Sequence, residues 1–249
     1  MENPFDLTGR TALVTGSSRG IGKAIAFALG GAGAKVVFHG TGDTPALRKT
    51  LEEAAAAGFA HDVVYGDIGN SEELKAVAEA GAGADILVLN ASVQSYGRIG
   101  DFDEAEFDRM ARTNLRSSFQ LVGALAPKMA ARGWGRVIFI GSVNQAHPAP
   151  RLAIYASTKA ACRALALTAA KEYASGGVTV NTVTPGVIAT DRNAKALSDG
   201  AFASALLGEI PAGRFGTAGD CAGIVLALAS EACAYITGAD ILVDGGMSL

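Results

Sequence analysis

Short apolar runs rich in β-branched residues alternate with longer helical patterns along most of the chain. Runs of this kind, bounded by glycine or polar residues, predict buried strands. The predicted strands are 10–15, 35–38, 61–65, 85–89, 135–140, 178–184 and 239–243. Because strands that alternate with helices form parallel βαβ units, the pattern predicts an α/β fold, a three-layer, doubly wound Rossmann arrangement with a parallel sheet of about seven strands.

Glycines follow the first predicted strand at once and lead into a helical pattern. This order places free backbone N–H groups at a helix N-terminus, which suits a pyrophosphate, and glycine lets the backbone approach a ligand closely. A tight turn with purely structural glycines is the alternative interpretation. We predict a dinucleotide site formed by Gly16, Ser18, Arg19, Gly20, Ile21 and Gly22.

The second predicted strand ends in His39, Gly40 and Thr41, with no carboxylate before Asp43. An acidic residue at this position would bind the ribose 2′-hydroxyl and disfavour a 2′-phosphate. Arg19 is positioned to meet a 2′-phosphate, although an exposed loop cation is the simpler interpretation. The sequence therefore favours NADP(H) as the cofactor, with NAD(H) as the alternative.

Tyr155 and Lys159 are four residues apart in a predicted helix over 152–174, so they share one face. A phenol is a weak base at neutral pH, and a fixed cation beside it favours the phenolate. The pair suits proton transfer, although an incidental pair on a surface helix has the same spacing. Ser142 ends the fifth predicted strand, at the sheet edge of the glycine loop, and lacks the GxSxG context of a hydrolase nucleophile.

A long helix is predicted over 103–131, and Pro127 is expected to kink or interrupt its far end. Asn114 lies inside this helix, where a buried amide either bonds the backbone or holds a water molecule. Asp67 ends the third predicted strand and is a candidate to accept a hydrogen bond from an adenine amine. Capping of the next helix is the alternative role for Asp67.

Composition excludes several classes of function. A net charge of −3 gives no electrostatic basis for binding nucleic acid. A membrane span needs about 18 consecutive apolar residues, and no apolar run approaches this length. The N-terminal residues also lack a signal-peptide pattern, so we expect a cytoplasmic protein. Three cysteines without CxxC spacing and three isolated histidines predict neither a disulfide set nor a metal site.

Taken together, these motifs resemble the short-chain dehydrogenase/reductase family, in its single-domain branch of about 250 residues. The resemblance covers nearly the whole chain. Asn114, Ser142, Tyr155 and Lys159 match the catalytic tetrad of the family in order and spacing. The resemblance implies further cofactor contacts at Thr41, Asp67, Ile68, Asn90, Ala91, Ser92, Tyr155, Lys159, Pro185, Gly186, Ile188 and Thr190.

The resemblance implies hydride transfer between a nicotinamide and a carbonyl or secondary alcohol. Tyr155 would act as the general acid/base and Ser142 would hydrogen-bond the substrate oxygen. Lys159 would also bind the nicotinamide ribose, and Asn114 would hold a water that relays protons. The segment 190–214, which interrupts the alternation of strands and helices, would be a mobile substrate lid.

One departure from the family lies after the fourth predicted strand. The family usually reads Asn-Asn-Ala-Gly there, and this chain reads Leu89, Asn90, Ala91 and Ser92, which indicates an altered pocket. Polar residues expected at the mouth of the pocket favour a small hydroxylated or acidic substrate, such as a sugar, polyol or sugar acid. The proposed substrate contacts are Gln94, Asn144, Gln145 and Arg192.

Two alternatives remain open at this point. One is reduction of 3-oxoacyl thioesters on an acyl carrier, which would need a basic docking surface; Arg109, Arg112, Arg116 and Arg132 are candidates. The other is a non-catalytic NADP-binding protein, which typically lacks the Tyr or the Lys. The resemblance also implies a homotetramer, or a dimer, formed through the long helices and the apolar C-terminal strand.

Overall fold

The computed structural model describes residues 3–191, 193–194 and 198–249. In this part of the chain, seven parallel strands form one sheet in the order β3-β2-β1-β4-β5-β6-β7, which confirms the predicted fold class. All seven strand predictions match an observed strand, with ends that differ by at most two residues. The strands are β1 (Thr11–Val14), β2 (Lys35–Gly40), β3 (His61–Tyr65), β4 (Ile86–Leu89), β5 (Gly135–Ile140), β6 (Val178–Pro185) and β7 (Asp240–Val243).

Helices cover both faces of the sheet and bury one apolar cluster on each side. The helices are α1 (Gly20–Gly31), α2 (Pro45–Ala57), α3 (Ser71–Ala80), α4 (Glu104–Met110), α5 (Ser117–Ala131), α6 (Ala153–Tyr173), α7 (Gly200–Gly208) and α8 (Ala218–Ala229). Side chains of α3, α5 and α6 pack on one face, and side chains of α1, α2 and α8 pack on the other. None of the helices in the described ranges is long and apolar enough to cross a membrane.

The order of the strands determines where a ligand can bind. The chain builds β1, β2 and β3 outward in one direction, then returns to place β4 on the other side of β1. This reversal opens a crevice between the carboxyl ends of β1 and β4, where ligands of doubly wound sheets bind. The glycine loop follows β1, and Asn90 follows β4, so both lie at this crevice.

The long helix predicted over 103–131 differs from the expectation in two ways. A π-helical turn (Ala111–Arg116) separates α4 from α5 and contains Asn114. The helix α5 runs through Pro127 to Ala131 without a break, so the predicted interruption is wrong. Pro127 and Gly123, one turn earlier, are both exposed, so the carbonyl that lacks its helical N–H partner can bond to water.

Candidate active site

A cavity of about 1170 Å³ lies at the carboxyl ends of the strands. Its walls come from the loops that follow β1 to β6, from α6 and α7, and from the segment after β7. Every residue predicted to contact the cofactor lines this cavity, and these contacts stay predictions. They are Gly16, Ser18, Arg19, Gly20, Ile21, Gly22, Thr41, Asp67, Ile68, Asn90, Ala91, Ser92, Tyr155, Lys159, Pro185, Gly186, Ile188 and Thr190.

The glycine loop is packed too closely against β4 for larger residues. A Cβ atom on Gly16 would lie 2.9 Å from the Cα of Ala91, and φ of Gly16 is +64°. A Cβ atom on Gly22 would lie 2.4 Å from the Gly16 carbonyl oxygen. The Asn90 amide donates to the Thr15 and Gly16 carbonyls, both at 2.9 Å. Asn90 therefore fastens the loop to the end of β4, and both glycines are required by the approach of the two chain segments.

His39 holds the other side of this loop, a role that the sequence analysis missed. Its side chain is 1% exposed. The Gly16 N–H donates to Nδ1 at 3.0 Å, and Nε2 lies 3.0 Å from the Gly66 carbonyl oxygen. Because a backbone N–H only donates and a carbonyl only accepts, the ring carries its hydrogen on Nε2. The one available signal was a lone histidine that ends a buried strand beside the glycine loop.

The pKa of His39 is lowered because burial penalises the imidazolium, and the hydrogen bond to Gly66 and the charge of Asp67 oppose this effect. The neutral ring is also the form that the hydrogen bonds require. A protonated Nδ1 would point a hydrogen at the Gly16 N–H. The geometry of the glycine loop therefore depends on an uncharged His39.

The end of β2 presents no free carboxylate to the cavity. The first carboxylate after the strand, Asp43, accepts two hydrogen bonds of 2.7 Å from Arg48. Arg19 lines the same end of the cavity, is exposed, and has no ion-pair partner within the described ranges. Arg19 is thus a cation at this end of the cavity, and its pairing with a 2′-phosphate stays a prediction.

Tyr155 and Lys159 both line the cavity from α6, and both are buried. The Nζ of Lys159 donates to the Ile140 carbonyl at 2.7 Å, at the end of β5. This bond fixes one of the three ammonium hydrogens. The other two make no hydrogen bond to the described part of the chain.

Ser142 follows β5 and lines the same cavity as Tyr155. A 3₁₀ turn (Val143–Gln145) begins immediately after it. The Ser142 Oγ accepts hydrogen bonds from the backbone N–H of Asn144 at 3.2 Å and from its Nδ2 at 3.3 Å. The serine hydroxyl is therefore held by the turn that it begins.

Asn114 is buried behind the cavity wall and does not line the cavity. Its Oδ1 accepts the Val93 N–H at 2.8 Å, and its Nδ2 donates to the Val93 carbonyl at 2.9 Å and to the Thr158 Oγ1 at 3.1 Å. Of the two roles considered for a buried amide, the structure shows backbone bonding. Asn114 thereby fixes the loop after β4 against α6, next to Lys159.

The predicted substrate contacts are divided by the structure. Gln94 and Asn144 line the cavity, whereas Gln145 does not, and Arg192 lies outside the described residues. The Gln145 Nε2 donates to Thr184 Oγ1 and to Asp240 Oδ2, both at 2.9 Å. The expectation for Gln145 is thus corrected: the 3₁₀ turn directs its side chain toward β6 and β7.

The sequence analysis also missed part of the wall. Met247, Ser248 and Leu249 line the cavity from the C-terminal segment. In the predicted lid, Phe202, Leu206 and Glu209 line it from α7 and the residue that follows it. The mobility of this segment stays a prediction.

Comparison with known proteins identifies the family. A family model described as enoyl-(acyl carrier protein) reductase matches residues 16–248. The chain is 40% identical, over 248 residues, to the 3-oxoacyl-[acyl-carrier-protein] reductase FabG of Vibrio cholerae, covering 98% of this chain and 99% of that protein.

Two solved structures extend this result. One is a 3-oxoacyl (acyl-carrier-protein) reductase from Agrobacterium tumefaciens C58 with NADP bound; its TM-score is 0.92 at 38% identity, over 97% of this chain and 95% of that one. The other is a gluconate 5-dehydrogenase from Burkholderia cenocepacia J2315 in complex with NADP and tartrate; its TM-score is 0.92 at 33% identity, over 98% and 97%. This protein therefore belongs to the short-chain dehydrogenase/reductase family of oxidoreductases.

Proposed function

We propose that the protein is an NADP(H)-dependent oxidoreductase that interconverts a carbonyl and a secondary alcohol in a small polar substrate. One observation carries the proposal: Tyr155, Lys159 and Ser142 meet in the same cavity as the glycine loop. Such a reaction needs both a proton-transfer pair and a binding site for a dinucleotide. We propose NAD(H) as the weaker cofactor.

The residues around the glycine loop fit a dinucleotide. The N-terminus of α1 has no side-chain cap, and Gly20, Ile21 and Gly22 of its first turn line the cavity. Uncapped N–H groups at a helix N-terminus suit a pyrophosphate. Arg19, which is exposed and has no ion-pair partner among the described residues, gives the same end of the cavity a cation for a 2′-phosphate. Lys159 has two ammonium hydrogens left for a ribose hydroxyl.

Residues of this chain would transfer the proton. The cofactor, when bound, supplies the hydride chemistry. During reduction, Tyr155 would donate its phenolic proton to the oxygen of the substrate carbonyl, and during oxidation it would accept a proton from the alcohol. The Ser142 hydroxyl would hydrogen-bond the same oxygen as charge develops on it. For Asn114 we now propose a positioning role, since its amide is bonded to Val93 and Thr158.

The side chains that line the cavity favour a polar substrate. Gln94, His147 and Arg151 all line it, and Arg151 has no ion-pair partner in the described part of the chain. A sugar, polyol or sugar acid offers hydroxyl and carboxylate groups that match these side chains. The similarity to a gluconate 5-dehydrogenase supports the same class.

A second candidate is reduction of a 3-oxoacyl thioester on an acyl carrier, and the 40% identity to a FabG protein favours it. Docking of an acidic carrier would need free basic side chains. Arg109 pairs with Glu106 at 2.7 Å, Arg112 with Asp108 at 3.8 Å and Arg132 with Asp85 at 3.4 Å. Arg116 donates to the Gly69 carbonyl. These partners partly neutralise the predicted docking surface, so we place the small polar substrate first.

A panel of substrates separates the candidates. NADPH oxidation would be measured with oxidised sugars and sugar acids and with an acetoacetyl thioester, and NADP reduction with polyols and sugar acids. The proposal expects turnover with the polar small molecules at a kcat/KM at least tenfold above that for the thioester. The reverse order would favour the second candidate. Absence of turnover with every compound would support the non-catalytic NADP-binding alternative.

We also propose a single domain over 1–249 that assembles in the cytoplasm as a homotetramer, or as a dimer. Tyr235, which precedes β7, and Leu242, on the edge strand β7, are exposed large apolar side chains, as is the terminal Leu249. Contact between subunits would cover them. Light scattering after gel filtration gives the mass, and a monomeric mass at micromolar concentration would contradict the assembly.

A further inference from the structure

Two donors converge on the catalytic serine. The backbone N–H of Asn144 lies 3.2 Å from the Ser142 Oγ, and the Asn144 Nδ2 lies 3.3 Å from it. Both atoms carry hydrogen and can only donate to the serine oxygen. Within the described ranges, the serine hydroxyl itself donates to no protein group that competes for its hydrogen.

The orientation of the Asn144 amide is fixed by its other end. The Ala149 N–H donates to Asn144 Oδ1 at 2.9 Å. A backbone N–H cannot accept a hydrogen bond, so the amide oxygen must face Ala149 and the amide nitrogen must face Ser142. The backbone of Ser142 is held as well, since its N–H donates to Gln145 Oε1 at 3.4 Å.

This arrangement determines where the serine hydrogen points. A hydroxyl has one hydrogen and two acceptor positions. Asn144 occupies both acceptor positions, so the hydrogen is directed away from the turn. Because Ser142 lines the same cavity as Tyr155, we infer that this direction leads into the cavity.

We propose that Asn144 is a positioning residue that holds the Ser142 hydroxyl as a hydrogen-bond donor toward the reacting oxygen of the substrate. This proposal rests on the proposed function and deepens it. It also replaces the direct substrate contact that the sequence analysis assigned to Asn144. A donor that is oriented before the reaction needs no reorganisation as negative charge develops on the oxygen, which is how such donors lower a barrier.

The decisive variants are Asn144→Asp and Asn144→Ala. The carboxylate has the shape of the amide and can still accept from Ala149, but it would also accept the serine hydrogen and turn the donor away from the substrate. Alanine only removes one of the two donors. We expect kcat to fall by roughly 100-fold for Asn144→Asp, near the loss of an oriented donor, and by roughly tenfold for Asn144→Ala.

The relative size of the two losses in kcat distinguishes a positioning role from a purely structural one. If Asn144 only braced the turn, alanine would lose both side-chain bonds and be the worse variant. In the proposed role, the loss is in kcat, while the affinity for NADPH stays within twofold of wild type. In a Ser142→Ala background, neither change at position 144 should lower kcat further, because the hydroxyl that they act on is gone.

The results of these measurements distinguish the positioning role from the proposed function. A lower kcat for Asn144→Ala than for Asn144→Asp, or full additivity of either variant with Ser142→Ala, overturns the positioning role while wild-type turnover keeps the proposed function. If wild type turns over no carbonyl or alcohol, the proposed function fails and this proposal fails with it. Thermal melting checks folding, and if Asn144→Asp does not fold, the cycle of Asn144→Ala with Ser142→Ala decides.

Discussion

The Nζ of Lys159 lies 5.7 Å from the centre of the Tyr155 ring, one turn further along α6. Both side chains are buried, and the ammonium is held by the Ile140 carbonyl at the end of the neighbouring strand. Within the described ranges this ammonium has no carboxylate partner, and burial of such a charge is costly, so its retention at this place indicates a use beyond packing. The helix α6 and the end of β5 therefore hold a cation close to a phenol in the cavity.

The first prediction concerns the choice of cofactor. Arg19→Ala should weaken NADPH binding roughly tenfold and leave NADH binding unchanged, because only NADPH carries the phosphate that the guanidinium would pair with. Fluorescence titration of both cofactors measures the two dissociation constants. Arg112→Ala, an exposed arginine outside the cavity, is the matched control and should change neither. Equal losses for NADPH and NADH would assign Arg19 another role.

The second prediction concerns pH and His39. Its pKa is lowered in the folded protein, so below its ordinary value of about 6.5 the unfolded chain binds more protons than the folded one. The free energy of unfolding should therefore fall as pH drops below about 6.5. His39→Asn keeps an acceptor for the Gly16 N–H but does not titrate, so its melting temperature should change less between pH 7 and pH 5.

Carboxylates act in a lower window and do not obscure this effect. Glu106, whose pKa is lowered to about 2 chiefly by its hydrogen bond to Arg109, loses its contribution only as pH falls below the ordinary Glu range. His61→Asn, the same substitution on the neighbouring strand β3, is the matched comparison for the loss of a histidine side chain. An unchanged slope for His39→Asn would contradict the role assigned to its neutral ring.

The third prediction compares the two glutamines that the sequence analysis assigned to the substrate. Gln145→Ala removes a partner from Thr184 and Asp240 and should lower the free energy of unfolding by about 1–3 kcal/mol, with substrate KM unchanged. Gln94→Ala should raise substrate KM and leave the melting temperature unchanged, since Gln94 lines the cavity. A change of KM for Gln145→Ala alone would reverse the assignment.

Sequence patterns predicted the fold and the main-chain elements that form the site. The strand at Gly135–Ile140 and the glycine loop from Gly16 are visible because their signals are local: a bounded apolar run, and glycines between a strand and a helix. Spacing within α6 and the shared edge of parallel strands indicated Tyr155, Lys159 and Ser142 as candidates, and the resemblance to the family supplied the proposed catalytic roles. These signals lie within short stretches of the chain, so one sequence is enough to read them.

Side-chain direction at the ends of strands was not predictable in this way. Gln145 turns away from the cavity because Thr184 and Asp240, distant in sequence, offer it partners. His39 looks like a core histidine until Gly16 and Gly66 are placed on either side of its ring. Both outcomes depend on contacts between separate βα units, which leave no periodic pattern in the chain.

The most direct test of the account is the rate of NADPH oxidation, with the best carbonyl substrate of the panel, for Tyr155→Phe beside wild type. The phenol is the proposed proton donor, and phenylalanine keeps the ring but not the proton, so kcat should fall at least a thousandfold while NADPH affinity stays within about threefold. Tyr173→Phe, the same change on α6 away from the cavity, should retain wild-type activity. Activity of Tyr155→Phe within tenfold of wild type would contradict the assignment.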